Sequence, residues 1–492
     1  MNWANVPTLL GCLIVSCCFE LSTWAQESHR PNIIFAIADD WGWPHAGMYG
    51  DQSVATPTFD QLAHDGVLFE HAFVSSPSCT PSRAAILTGQ YHWRLKESAN
   101  LHSTLRTEFE TYPELLQQNG YYVGLQGKGW GPGRIDVGGR KENPAGPKFA
   151  DFETFLRQRP QGKPFCFWFG SSDPHRPYQV GSGKAAGLDL DKISVPPFYP
   201  NVETVRSDIA DYYLEVQRFD NDVQRILRQL QETGEADNTI VVMTGDHGMP
   251  FPRCKGNLYD MGARIPLVIR WPQKIPGNRR IQDFVSLTDV APTFLEAAGI
   301  DVPQAMTGRS LLPALTSGQS GWVDRERTFV LMGKERHVPC QEAPNSGGTP
   351  MRAIRNREYL LIHNFAPERW PAGTPHYQQA FFPGSWLGDA DNGLTKSWLV
   401  EHQHDSSQDR KWYELSFAKR PEFELYDIGK DPFQVNNVAG SPDYAETLQQ
   451  LQAELHQRLL ATADARAQGN GDQFDQYPYY GGSPLHPDFR AD

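Results

Sequence analysis

The chain has 492 residues, 39% of them hydrophobic and 21% charged, enough apolar side chains to build one large folded domain and a smaller one. Its formal net charge of -13 at pH 7 argues against nucleic acid or an anionic membrane as a general partner. An anionic ligand would therefore have to be held by local cations.

Residues 1–25 read as a secretory leader. Leu9 to Val15 is mostly apolar, Cys17 to Phe19 extends it, and Thr23 and Ala25 place small residues at the two positions a signal peptidase inspects. No Lys or Arg precedes Arg30, so the amino terminus alone supplies the usual positive charge. Ile14, Val15 and Ser16 before Cys17 also fit a lipobox, which makes lipoprotein anchoring at Cys17 an alternative. Either way the expectation is an exported protein, in a periplasmic, extracellular or lysosome-like compartment. No later apolar run approaches the ~20 residues that span a bilayer. Outside the leader lie Cys79, Cys166, Cys254 and Cys340. These are too few for a disulfide framework, although one Cys254–Cys340 pair is conceivable.

From residue 32 onward, short β-branched or aromatic runs each end in a polar loop. Asn32 to Ala38 leads into Asp39 and Asp40, Tyr121 to Gln126 into Gly127 and Lys128, Phe165 to Phe169 into Asp173 and His175, and Thr239 to Thr244 into Asp246 and His247. Helical stretches separate them: Pro57 to His64 closed by Gly66, Pro113 to Asn119 closed by Gly120, and Val205 to Glu232 closed by Gly234. This alternation predicts an α/β fold with a mostly parallel central sheet and helices on both faces. Ligands in such sheets bind beyond the carboxyl ends of the strands, where these polar residues fall.

Thr288 to Gly299 reads as a further helix. Beyond Gly308, Thr328 to Met332, Met351 to Ile354, Tyr359 to His363 and Phe423 to Tyr426 predict an antiparallel group, followed by a helix from Tyr444 to about Thr462. The expected division is a leader (1–25), a catalytic domain (26–325), a C-terminal α+β domain (326–465) and a loose tail (466–492). Ala366 to Asp409, rich in Pro, Gly and polar residues, is expected to form an extended loop covering the site or the sheet.

The most informative stretch is CTPSRAAILTG, Cys79 to Gly89. It sets a small reactive side chain where a turn enters a helix. Free N–H groups and a partial positive charge gather there, and Arg83 adds a full charge, so an anion is favoured. Asp39, Asp40 and Asp246, converging on one point, would repel one another, and a divalent cation is the simplest way to keep them ionised. Oxygen-rich ligation favours Ca²⁺ or Mg²⁺.

Cys79, Pro81, Ser82, Arg83, Leu87, Thr88 and Gly89 match seven fixed positions of the sulfatase signature, so the chain resembles the sulfatases of the alkaline-phosphatase-like superfamily. The resemblance covers about Pro31 to Ala439. It implies conversion of Cys79 by a maturase to formylglycine, whose hydrate attacks sulfur, and a Ca²⁺ or Mg²⁺ ion held by Asp39, Asp40, Asp246, His247 and residue 79. It further implies sulfate contacts from Lys128 and Lys255, protonation of the leaving group by His175, and orientation of residue 79 by Arg83. Within the family, GDHGMPFPRCKGNLY, MTGRSLLPAL and PMRAIRNREYLLIHNF lean toward the heparan N-sulfatase branch, with a sulfated saccharide as substrate. His337, Arg352 and His363 are candidates for reading the sugar. One departure stands out: Trp130 occupies the place of a family histidine in the GKWH-like motif, and His45 is one candidate replacement. Two alternatives remain open at this point, a phosphatase or phosphonate hydrolase of the same superfamily and a non-catalytic binder of sulfated glycans.

Overall fold

The computed structural model describes residues 1–2 and 30–490. The leader beyond residue 2, with its lipobox alternative at Cys17, and the last two residues lie outside the described residues. Among the described residues eleven strands are present: β1 (Asn32–Ala38), β2 (Val67–Phe73), β3 (Tyr122–Gly127), β4 (Phe165–Gly170), β5 (Thr239–Gly245), β6 (Leu267–Arg270), β7 (Arg279–Ser286), β8 (Phe329–Lys334), β9 (Met351–Asn356), β10 (Tyr359–Asn364) and β11 (Phe423–Asp427). The first seven form one sheet in the order β3-β4-β1-β5-β6-β2-β7. Every pairing in it is parallel except those of β6, which runs antiparallel to both β5 and β2.

Both faces of this sheet are buried, and β1 shows why. Ile33, Phe35 and Ile37 point into one apolar cluster, while Ile34, Ala36 and Ala38 point into another. Helices α1 (Pro57–Asp65) and α3 (Glu203–Glu232) supply Phe59, Leu62, Val216 and Phe219 to the second cluster. Helices α2 (Cys79–Thr88) and α4 (Val290–Ala297) supply Ile86, Leu87, Phe294 and Leu295 to the first. The expected mostly parallel sheet with helices on both faces is therefore found, enlarged by β2, β6 and β7.

The four later strands form the expected antiparallel sheet, in the order β11-β10-β9-β8. Val330, Met332, Ala353 and Leu360 on one face join the cluster under α2, so the two sheets share a core. The opposite face, with Leu331, Ile354 and Leu361, packs on Leu451, Leu455 and Leu459 of α6 (Ala445–Ala461). The stretch expected to be an extended loop contains α5 (Leu394–Glu401), and a further helix, Ser407–Phe417, begins within it.

Two expectations need correction. The tail is packed rather than loose: Phe474 is buried, Arg336 donates to the carbonyls of Asp475, Tyr477 and Pro478, and Leu485 forms a β-bridge with Ser385. Its aromatic side chains supply the apolar area that holds it. Cys79, Cys166, Cys254 and Cys340 are all free thiols, so the Cys254–Cys340 bridge does not form.

Candidate active site

Strand register collects the chemistry at one edge. Across the sheet Ala38 pairs with Gly245, Ile37 with Gly170, and Gly170 with Gly127. The residues that follow these strands, Asp39 and Asp40, Asp246 and His247, Ser171 to His175, and Lys128, therefore leave the sheet side by side. Asp40 takes a left-handed backbone with φ of 74°, and its N–H donates to Asp246 Oδ1 at 2.9 Å. Such a conformation is rare for a non-glycine residue and concentrates at functional sites.

Strand β2 delivers Cys79 to the same edge at the first turn of α2, with Ser78 at the N-cap and every residue of the helix buried. Cys79 Sγ lies 3.5 Å from Asp39 Oδ1 and 3.3 Å from His247 Nε2. Burial pushes the thiol well above its ordinary pKa, against the pull of Lys128. As a thiol, then, residue 79 is a protonated and poor nucleophile.

Three cations surround the carboxylates. The Lys128 ammonium donates to both Asp39 oxygens, at 2.8 and 2.6 Å. Lys255, fully buried, donates to Asp40 Oδ2 at 2.9 Å and to Asp391 Oδ2 at 3.0 Å. Arg83 Nε donates to Asp246 Oδ2 at 2.8 Å, while its Nη1 holds the carbonyls of Lys128 and Gly129 at 2.9 and 3.0 Å. Burial alone would raise the Asp39 carboxyl, but Lys128, His175 and Arg83 overcome it and hold Asp39 well below the usual carboxylate range.

The donor set fits a hard divalent cation. One ligand atom each from Asp39, Asp40, Cys79 and His247 lies within 4.8 Å of the others. Asp40 Oδ1 is buried without a hydrogen-bond donor. Its neighbour His247 Nε2, at 3.1 Å, belongs to a ring whose Nδ1 faces the Gly248 carbonyl at 3.1 Å. With Nδ1 donating to that carbonyl, Nε2 turns its lone pair toward a carboxylate oxygen, an arrangement that a cation between them resolves. Asp246 stands at the rim of the set, its Oδ1 3.7 Å from His247 Nε2 and its two oxygens already receiving Asp40 N–H and Arg83.

The structure thus brings together Asp39, Asp40, Cys79, Arg83, Lys128, His175, Asp246, His247 and Lys255. His175 lies at the mouth with about a third of its side chain exposed, Nε2 3.9 Å from Asp40 Oδ2 and Nδ1 bonded to the Arg176 carbonyl. His337 adjoins the cluster through a 2.8 Å bond between its Nδ1 and Ser78 Oγ, and burial drives its pKa down to about 3.

Three candidates fall elsewhere. The fully buried Arg352 guanidinium is held by Asp464 at 2.7 and 2.9 Å and by Glu335 at 2.6 Å, which leaves it no open face for a sugar. His363, paired across the small sheet with Arg352, stacks on Phe423 and lies against Phe365. His45 is buried beside Tyr212 and Tyr213, bonds the Tyr212 hydroxyl, and is not among the ligand group. Trp130 turns into the core, with Nε1 3.3 Å from Ser98 Oγ, and His247 is the histidine that faces residue 79.

Sequence reasoning missed Asp391. The expectation that residues 366–409 cover the site was available, and within that stretch GDADNG is the one acid-rich turn flanked by glycines. Nothing in its spacing ties it to Lys255.

The carboxylate pair, the buried residue 79 at a helix N-terminus and the flanking lysines make a site suited to hydrolysing an anionic ester, and family comparison gives the class as a hydrolase of sulfuric esters. The sulfatase family profile matches residues 31–131 and 148–300, more than half of the chain, and the chain belongs to that family. Within it, the profile of the N-sulphoglucosamine sulphohydrolase C-terminal region also matches, over residues 245–370. Two relatives are each 29% identical. An ulvan-active sulfatase of Formosa agariphila aligns over 93% of this chain and 88% of its own length, and the human N-sulphoglucosamine sulphohydrolase over 92% and 95%. Fold likeness is broader than chemistry: the phosphonate monoester hydrolase of Silicibacter pomeroyi superposes with a TM-score of 0.65 at 19% identity, covering 88% of this chain and 96% of that one.

Proposed function

We propose that this sulfuric ester hydrolase removes sulfate from sulfated glycans, as esters or sulfamates, with residue 79 working as formylglycine after conversion by a maturase. The observation that carries the reading is the meeting of Cys79 Sγ with Asp39 Oδ1 and His247 Nε2 beneath two buried or half-buried lysine ammoniums. Hydrated formylglycine supplies two hydroxyls on one carbon, one to attack sulfur and one whose deprotonation releases sulfate. Asp39, Asp40, Asp246 and His247, with residue 79, would hold a Ca²⁺ or Mg²⁺ ion, which lowers the pKa of a bound hydroxyl and polarises a sulfuryl oxygen.

The chain's own side chains do the rest. Lys128 and Lys255 place positive charge where the sulfuryl oxygens gather negative charge, Lys255 fully buried and Lys128 with about a fifth of its side chain open to solvent. Arg83, fixed by Asp246 and two carbonyls, keeps the first turn of α2 against the strand ends. His175 at the mouth donates its Nδ1–H to the Arg176 carbonyl, so Nε2 is the nitrogen facing the substrate, and in the imidazolium form it carries the proton that passes to the departing oxygen or nitrogen. The heparan N-sulfatase-like branch favours an amino sugar carrying N-sulfate. We also propose export through residues 1–25; among the described residues no helix is long and apolar enough to cross a membrane.

The test pairs peptide mass spectrometry across residue 79 with sulfate release from N- and O-sulfated sugars. Converted chain is expected to release sulfate and Cys79→Ala to release none. Turnover by Cys79→Ala would end the mechanism.

A further inference from the structure

The turn between residues 386 and 392 carries two carboxylates in different situations. Asp389 is buried and fully engaged, taking Val338 N–H at 2.9 Å and facing Lys334 Nζ at 2.7 Å. Asp391, two residues on, keeps about a fifth of its side chain exposed, and Lys255 is its one protein donor among the described residues. A carboxylate oxygen of Asp391 lies within 4.8 Å of ligand atoms of both His175 and Asp40. It therefore stands in the mouth of the site, beside the group placed to protonate the leaving atom.

This placement is built from beneath. Lys396, buried in the first turn of α5, directs its ammonium at the carbonyls of Trp386, Leu387 and Ala390 and at Asn392 Oδ1, at 2.8, 3.2, 2.8 and 2.8 Å. The packed tail closes the other side, with Asn392 Nδ2 donating to the Leu485 carbonyl at 2.9 Å and Trp386 N–H to the Pro484 carbonyl at 3.1 Å. Buried polar groups that meet all their partners hold a loop in one conformation. What this loop presents to the site is a negative charge.

A carboxylate is the wrong group for binding sulfate: it repels the anion and draws on the positive charge of Lys255. It suits a hydrogen-bond donor on the part of the substrate that leaves. A hydroxyl on the ring carbon next to the sulfated one lies close to the leaving atom, so its acceptor must stand near the proton donor, as Asp391 does within 4.8 Å of His175. We propose that Asp391 determines specificity by accepting a hydrogen bond from that vicinal hydroxyl. It thereby selects sulfate on a secondary ring position over the primary 6-position, whose neighbouring carbon bears no hydroxyl. The assignment rests on the reading of the site given above.

The test uses converted full-length enzyme with glucosamine N-sulfate, glucosamine 3-sulfate and glucosamine 6-sulfate as substrates and inorganic sulfate as inhibitor. Wild type is expected to prefer one of the first two. Asp391→Ala should lower kcat/KM on that sugar by about 10- to 100-fold, while the inhibition constant for inorganic sulfate stays within about threefold. Asp391→Asn, which keeps one acceptor oxygen, should recover part of the loss. Preference for the 6-sulfate, an unchanged kcat/KM, or an equal loss of affinity for inorganic sulfate would overturn the assignment alone. The last result would mean that Asp391 merely props Lys255. Absence of sulfate release from all three sugars by wild type would instead overturn the underlying reading, and the assignment with it.

Discussion

Replacing Lys255 by methionine keeps most of the length of the side chain and removes its charge, and the structure gives two separate consequences. The first is catalytic. Under the proposed mechanism Lys255 is one of two ammoniums facing the sulfuryl oxygens, and loss of one preorganised donor to a developing anion typically costs about 10²- to 10³-fold in kcat. The second concerns stability. At 2.9 Å from Asp40, and at an effective dielectric of about 20, the attraction is ~6 kcal/mol before desolvation is subtracted. Orphaning a buried charge by removing its partner costs about 3–5 kcal/mol net. A divalent cation bound at Asp40 would supply the missing positive charge, so Lys255→Met should lose more stability in chelator than in excess Ca²⁺. Sulfate release by converted enzyme measures the first effect, and thermal unfolding with and without Ca²⁺ the second. A variant that keeps kcat/KM within about tenfold of wild type, or loses equal stability in both conditions, would refute the placement of Lys255 between the metal ligands and the sulfate.

Arg352→Met orphans the fully buried Asp464 carboxylate, so unfolding free energy should fall by about 3–5 kcal/mol while kcat/KM on a sulfated sugar, measured below the melting range, stays at the wild-type value. A loss of sugar turnover without a loss of stability would restore Arg352 as a substrate contact. His45 yields a pH prediction. In the unfolded chain it takes up its proton near 6.5, whereas burial in the folded chain delays uptake to about 4. The unfolded state therefore binds more protons between these values, and stability falls as pH drops from about 6.5 toward 4, by up to ~3 kcal/mol from this residue. His45→Gln should flatten that slope in urea unfolding at a series of pH values; an unchanged slope would mean that His45 is not buried neutral.

Much of this architecture was legible because strands report themselves twice, by β-branched runs and by the polar residues at which they stop. Asn32 to Ala38, ending at Asp39 and Asp40, is the clearest case, and the parallel register then forces the other strand-end motifs alongside it. Strand β2 was not read because VLFEHAF breaks its apolar run with Glu70 and His71, both only half-buried. Arg352 misled for the opposite reason. A basic residue near a sugar-processing motif looks like a ligand, and only coordinates reveal that Asp464, more than a hundred residues away, neutralises it. Asp391 was illegible for the same cause: its meaning comes from Lys255 and His175, which spacing along the chain cannot join to it.

The seclusion of Cys79 sets an order of events in the life of the molecule. With 2% of its surface open and its neighbours wound into α2, residue 79 offers no handle to another enzyme once the sheet has closed. Under the proposed mechanism, a maturase would have to meet this segment as loose peptide, between its emergence during synthesis or translocation and the burial of the strands around it. Chain that folds before that encounter would be stable, well packed and permanently inert, so the yield of active molecules would be governed by a race rather than by an equilibrium.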